Sequence, residues 1–126
     1  MNEVPNSLRT WFLIHFVADM ITGVPLLLFP ELVMPLLGWT AIDPIATRVV
    51  GAALMGIGIE SYLGRNAGID VYRAMLNLKV IWSSSAILGI GLGIWQGGPK
   101  AGWLFLAVFI IFWVVWIYYW RKLRKR

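Results

Sequence analysis

The sequence predicts an all-α integral membrane protein, a four-helix bundle with a short interfacial segment between its first and second helices. Three observations lead there. Hydrophobic residues make up 60% of the 126-residue chain and charged residues only 13%, a balance far from that of a soluble domain. Apolar stretches close to the roughly 20 residues that a bilayer requires recur over residues 9–29, 45–64, 72–96 and 102–120. The formal net charge of +5 comes mainly from one terminal run, Arg121-Lys122-Leu123-Arg124-Lys125-Arg126. Such a run sets membrane orientation and touches anionic lipid, so no nucleic-acid partner is expected.

The length leaves room for one transmembrane domain over residues 1–126. A polar lead with Pro5 and a cap at Asn6 or Ser7 opens the first span. That span is expected to be retained rather than cleaved as a signal peptide. Only Arg9 supplies a basic region, and His15 and Asp19 interrupt the apolar run. Gly23-Val24-Pro25 offers a place for a bend. Residues 30–44 contain Pro30, Pro35, Gly38-Trp39 and Pro44, with an apolar middle too short to cross a bilayer. An interfacial loop or short surface helix is expected there, with Trp39 at headgroup level.

The second span follows, then a polar turn over residues 64–70, the third span, the Gly97-Gly98-Pro99-Lys100 connection, and the fourth span. The last span has an aromatic end, Trp113, Trp116, Tyr118, Tyr119 and Trp120, suited to the membrane–water boundary. Arg9, Arg65, Arg73 and the basic tail share one side of this layout. The opposite connections offer only Lys100 among the cations, beside Glu31 and Asp43. The positive-inside rule therefore places both termini in the cytoplasm.

The unusual chemistry lies in ionisable residues at membrane depth, which are costly there and rarely face lipid. In the second span Arg48, Ala52, Gly56 and Glu60 recur every four residues, so they share one side of a helix. That stripe is expected to face protein, with its small residues admitting a neighbouring backbone. Helical rise puts His15 roughly 9 Å inward from Arg9 and Asp19 roughly 15 Å, on one face. The same rise puts Glu60 about 7.5 Å before Arg65 and Lys79 about 9 Å beyond Arg73. His15, Asp19, Glu60, Asn77 and Lys79 form the candidate cluster, in the cytoplasmic half. Lys79 is the first candidate partner for Glu60 and His15 the next. Asn77 projects nearly opposite to Lys79 and is expected to make another contact. Arg48 is expected to pair on the outer side with Asp43, with Glu31 or with a lipid phosphate.

Two readings of the cluster stand together. Polar side chains serve as glue between membrane helices, and intramembrane ionisable groups also build pockets and proton relays. Lys79 argues against a metal site, and the single His excludes a haem with two axial histidines. With no cysteine in the chain, disulfides, thiolate ligands and cysteine nucleophiles are excluded. Gly89-Ile90-Gly91-Leu92-Gly93 lies inside an apolar span, so Gly89 and Gly93 suggest a helix-packing face rather than a phosphate loop. Ser83-Ser84-Ser85 is expected to bond its own or a neighbouring backbone.

The four-span layout and the segment Arg48-x-x-Gly51-Ala52-x-Leu54-x-x-Gly58 resemble the DoxX-like group of small membrane proteins. The resemblance implies a compact membrane bundle; some members of that group are associated with quinone-linked redox complexes, and many have no assigned activity. Glu60 and Lys79 depart from the pattern, and no catalytic residue is carried over. No nucleophile–base pair or cofactor fingerprint is present, so no cofactor and no enzymatic activity are expected. The expected role is an accessory or self-associating membrane bundle, a homo-oligomer or part of a larger membrane complex. The alternative is binding of a lipid, quinone or proton-coupled small solute at the cluster.

Overall fold

The computed structural model describes residues 3–124, which form five helices and, among the described residues, no strand. These are α1 (Asn6–Leu28), α2 (Pro30–Leu36), α3 (Pro44–Leu63), α4 (Ile69–Trp95) and α5 (Ala101–Arg124). The four long helices fall on the four apolar stretches, with ends shifted by a few residues. α5 extends furthest beyond its expected end, through Leu123 and Arg124. Arg, Lys and Leu are good helix formers, and cations in a last turn oppose the negative end of the helix dipole.

Three helices, α1, α4 and α5, are long and apolar enough to cross a membrane. α3 stands outside that set, because Arg48 and Glu60 interrupt its apolar run near its two ends.

Local chemistry accounts for the boundaries. Asp43 caps α3: its Oδ1 accepts hydrogen bonds from the backbone N–H of Ile45 at 2.9 Å and of Ala46 at 3.3 Å. Pro44 opens the helix where no amide hydrogen is needed. Gly38 and Gly97 have φ of 102° and 92°, a region closed to most side chains. Each ends a helix with a paired closure. Trp39 N donates to Met34 O at 3.1 Å while Gly38 N donates to Pro35 O at 3.0 Å. Gly98 N donates to Gly93 O while Gly97 N donates to Ile94 O, both at 3.0 Å. The expected interfacial segment is the seven-residue α2, with Leu32 and Leu36 exposed. α1 continues through Pro25 as a single helix.

The chain divides into two compact units. The first, Asn6–Asn66, holds α1, α2 and α3. α1 and α3 run antiparallel, with Gly23 opposite Gly51 and Asp19 opposite Gly58. Arg9 donates a hydrogen bond to the Arg65 carbonyl near the end of this pairing. Glycine is required at the closest approach. A Cβ at Gly51 would lie 2.7 Å from both the carbonyl oxygen of Gly23 and the amide nitrogen of Leu27, and one at Gly23 would lie 2.9 Å from the carbonyl oxygen of Gly51.

The second unit holds α4 and α5, also antiparallel. Arg73 Nε donates to Leu123 O at 3.0 Å, Trp120 Nε1 to Asn77 Oδ1 at 2.8 Å, and Trp113 Nε1 to Ser84 Oγ at 3.0 Å. The two indole bonds lie seven residues apart on each helix, two helical turns. This spacing returns both partners to the same seam.

Candidate functional site

α1 places its buried residues at helical spacing: Leu8, Phe12, His15, Asp19, Gly23 and Leu26. His15 and Asp19 are therefore one turn apart within an otherwise apolar stripe. His15 Nε2 lies 3.3 Å from Asp19 Oδ1. α3 closes over the carboxylate with Gly58, whose hypothetical Cβ would sit 2.7 Å from Asp19 Cβ and 3.3 Å from Oδ2. One turn on, the buried Ser61 donates its hydroxyl to the Ile57 carbonyl at 2.9 Å. The first unit thus holds an imidazole–carboxylate pair against bare helix backbone.

The second unit carries the buried cation. Lys79 lies on the buried face of α4 with Tyr72, Met75, Leu76 and Ser83. Its Nζ stands 4.8 Å from the centroid of the Trp116 ring on α5. The negative face of an indole attracts an ammonium, and desolvation strengthens that attraction. Ser83 donates to the Lys79 carbonyl at 2.7 Å, which anchors its hydroxyl to its own helix, as expected for serine in an apolar helix.

The remaining expected residues fall elsewhere. Asn77 is exposed and accepts from Trp120, the separate contact its direction suggested. Glu60 is exposed on α3 and takes part in no ion pair among the described residues. Glu60 belongs to the first unit and Lys79, its expected partner, to the second. The exposure of Glu60 follows from helical phase. α3 turns Gly51, Leu54, Gly58 and Ser61 inward, so the Arg48, Ala52, Gly56 and Glu60 stripe is left exposed. The expected Arg48–Asp43 ion pair is also absent among the described residues. Asp43 gives its carboxylate to the α3 amides, while Arg48 Nε donates to the Leu27 carbonyl at 3.0 Å. That carbonyl lies at the end of α1, where orphan acceptors attract a guanidinium. Gly89 and Gly93, expected to form a helix-packing face within the bundle or between protomers, have open space around them, as does Gly56.

Neither Gly58 nor Trp116 belongs to the cluster expected from the sequence. Gly58 was visible as a glycine seven residues after Gly51, a repeat that returns to the same helix face. Trp116, expected among the interfacial aromatics, is fully buried. Among the described residues no three His, Asp or Glu side chains gather as a metal-ligating group. No protein-family model, no curated protein and no solved structure matches the chain.

Proposed function

We propose that this chain is a four-span, multi-pass membrane protein with no catalytic activity of its own, an accessory or self-associating bundle. The observation that carries this reading is an inverted distribution of polarity. Ile21 is 68% exposed, Ile45 76%, Leu88 65% and Leu104 61%, while His15, Asp19 and Lys79 are 4%, 5% and 2% exposed. A chain in water would cover the first set before the second; in lipid the preference reverses.

α3 is the second span in this reading. Its 20 residues reach about 30 Å at helical rise, the thickness of the hydrocarbon core, and Arg48 and Glu60 lie near its ends. α2 then lies at the outer surface, and the Lys and Arg distribution puts both termini in the cytoplasm. The kinship with the DoxX-like group belongs to the same proposal. Of the motif it rests on, Gly51, Leu54 and Gly58 are residues that α3 buries.

Association is supported by Gly56, Gly89, Gly91 and Gly93, each with open space where a Cβ would stand. Helices in lipid associate through such small-residue faces. Size-exclusion chromatography with light scattering in mild detergent tests this with Gly56→Leu and Gly89→Leu. Oligomer loss with unchanged thermal stability is expected. Unchanged oligomer size in both variants would remove these faces from the account.

A second reading, binding of a lipid, quinone or proton-coupled solute, is favoured by the buried His15–Asp19 pair. A carboxylate–imidazole pair is a donor–acceptor system suited to a carbonyl or hydroxyl on a lipophilic ligand. Native mass spectrometry of the purified protein separates the two. A co-purifying small molecule lost in Asp19→Asn, with the fold intact, supports the second reading, and a stable protein partner supports the first.

A further inference from the structure

The last turn of α5 carries Arg121, Lys122 and Arg124. It does not hang free: Leu123 is buried, and its carbonyl accepts the Arg73 Nε–H at 3.0 Å. Arg73 in turn meets Asp70 at 3.2 Å. Arg121, Lys122 and Arg124 have no ion-pair partner among the described residues. The three cations also divide by helical phase. Lys122 Nζ lies 5.7 Å from the Tyr118 ring centroid, and the Arg124 guanidinium lies 4.6 Å from that of Trp120. Arg121 is three residues before Arg124, a neighbour on the helix surface, and both arginines are exposed.

We propose that Arg124, seated on Trp120, and Arg121, one turn before it, form a clasp for the phosphate of an anionic phospholipid headgroup. This rests on the membrane reading above. Two like charges at that spacing repel, and an anion bound between them converts repulsion into attraction. Stabilising the helix dipole requires only one cation in the last turn, so the pair is more than that task needs. A guanidinium resting on an indole keeps its N–H edge free for bidentate contact with phosphate oxygens. An indole belongs at the headgroup layer, where those oxygens are found. A zwitterionic headgroup would bring its own cation beside the two arginines, which favours a lipid with net negative charge.

Native mass spectrometry of the full chain in mild detergent, after delipidation, tests the clasp. Phosphatidylglycerol, phosphatidylcholine and inorganic phosphate serve as probes. Wild-type protein is expected to retain phosphatidylglycerol over phosphatidylcholine, and an Arg121→Gln, Arg124→Gln double variant to lose affinity on the order of thirtyfold, for two basic residues near an anionic surface. Lys122→Gln is expected to keep the selectivity. The clasp is overturned by equal retention of both lipids, by undiminished selectivity in the double variant, or by an equal loss in Lys122→Gln. Displacement of the lipid by an equal concentration of inorganic phosphate would also overturn it, by assigning the site to a free anion. A protein that requires detergent yet shows no selectivity loses only the clasp. One that stays folded and monodisperse without detergent loses the membrane reading as well.

Discussion

Gly58 of α3 approaches Asp19 of α1 so closely that a Cβ on the glycine would stand 2.7 Å from the Asp19 Cβ. The contact fixes where the carboxylate sits: its Oδ1 faces His15 at 3.3 Å, and the helix backbone of α3 covers its other side. Alanine at position 58 is therefore expected to lower stability by about 1–3 kcal/mol, the usual cost of overpacking. Gly56→Ala is the control. Nothing lies within 4 Å of its hypothetical Cβ, and alanine is favoured over glycine in a helix interior by roughly 0.5–1 kcal/mol. Unfolding in mild detergent should rank Gly56→Ala at or above wild type and Gly58→Ala below it.

The His15–Asp19 pair should behave as one unit. Residues sharing a buried contact couple by about 0.5–3 kcal/mol in a double-mutant cycle, and a His15→Gln, Asp19→Asn cycle should fall in that range.

Lys79 itself is expected to tolerate loss of its amine only in part. The attraction of a desolvated ammonium to an indole reaches about 2 kcal/mol. Trp116→Leu should remove that attraction together with the packing of a fully buried ring. Lys79→Met keeps most of the side-chain volume and removes the charge, so it should cost less than Trp116→Leu. Equal effects of the two changes in thermal unfolding would assign the ring's role to the cation alone.

The indole bonds to Asn77 and Ser84 give a further test of the α4–α5 seam. Trp120→Phe and Trp113→Phe each delete one donor while keeping an aromatic ring, at about 0.5–1.5 kcal/mol for a hydrogen bond. The double variant should lose the sum, since the bonds are two helical turns apart. Intrinsic fluorescence during unfolding can follow both.

Much of this architecture was legible from composition and apolar run length. The four long helices needed only the bilayer-length stretches and their Gly, Pro and Asp punctuation, and Asp43-Pro44 marked the start of α3 by capping chemistry alone. Four-residue spacing put His15 and Asp19 on one face of α1, though not in contact as the structure has them. Helical phase was harder to read. In α3 two small-residue stripes compete, Ala52 and Gly56 on one side and Gly51 and Gly58 on another, and hydrophobic periodicity cannot choose between them when every face is apolar. The Arg48–Asp43 pairing failed for a related reason: backbone groups at helix ends compete for charged side chains, and both residues found such partners first.

The central claim is that α3 crosses the membrane, making four spans and placing both termini on one side. The chain has no cysteine, so single cysteines at Glu31, Asn66 and Arg126 can be labelled with an impermeant thiol reagent in intact cells. Labelling at Glu31→Cys alone is expected, with Asn66→Cys and Arg126→Cys reacting only after the membrane is opened. Equal labelling of Glu31→Cys and Asn66→Cys in intact cells would place both ends of α3 on one side and contradict the four-span account.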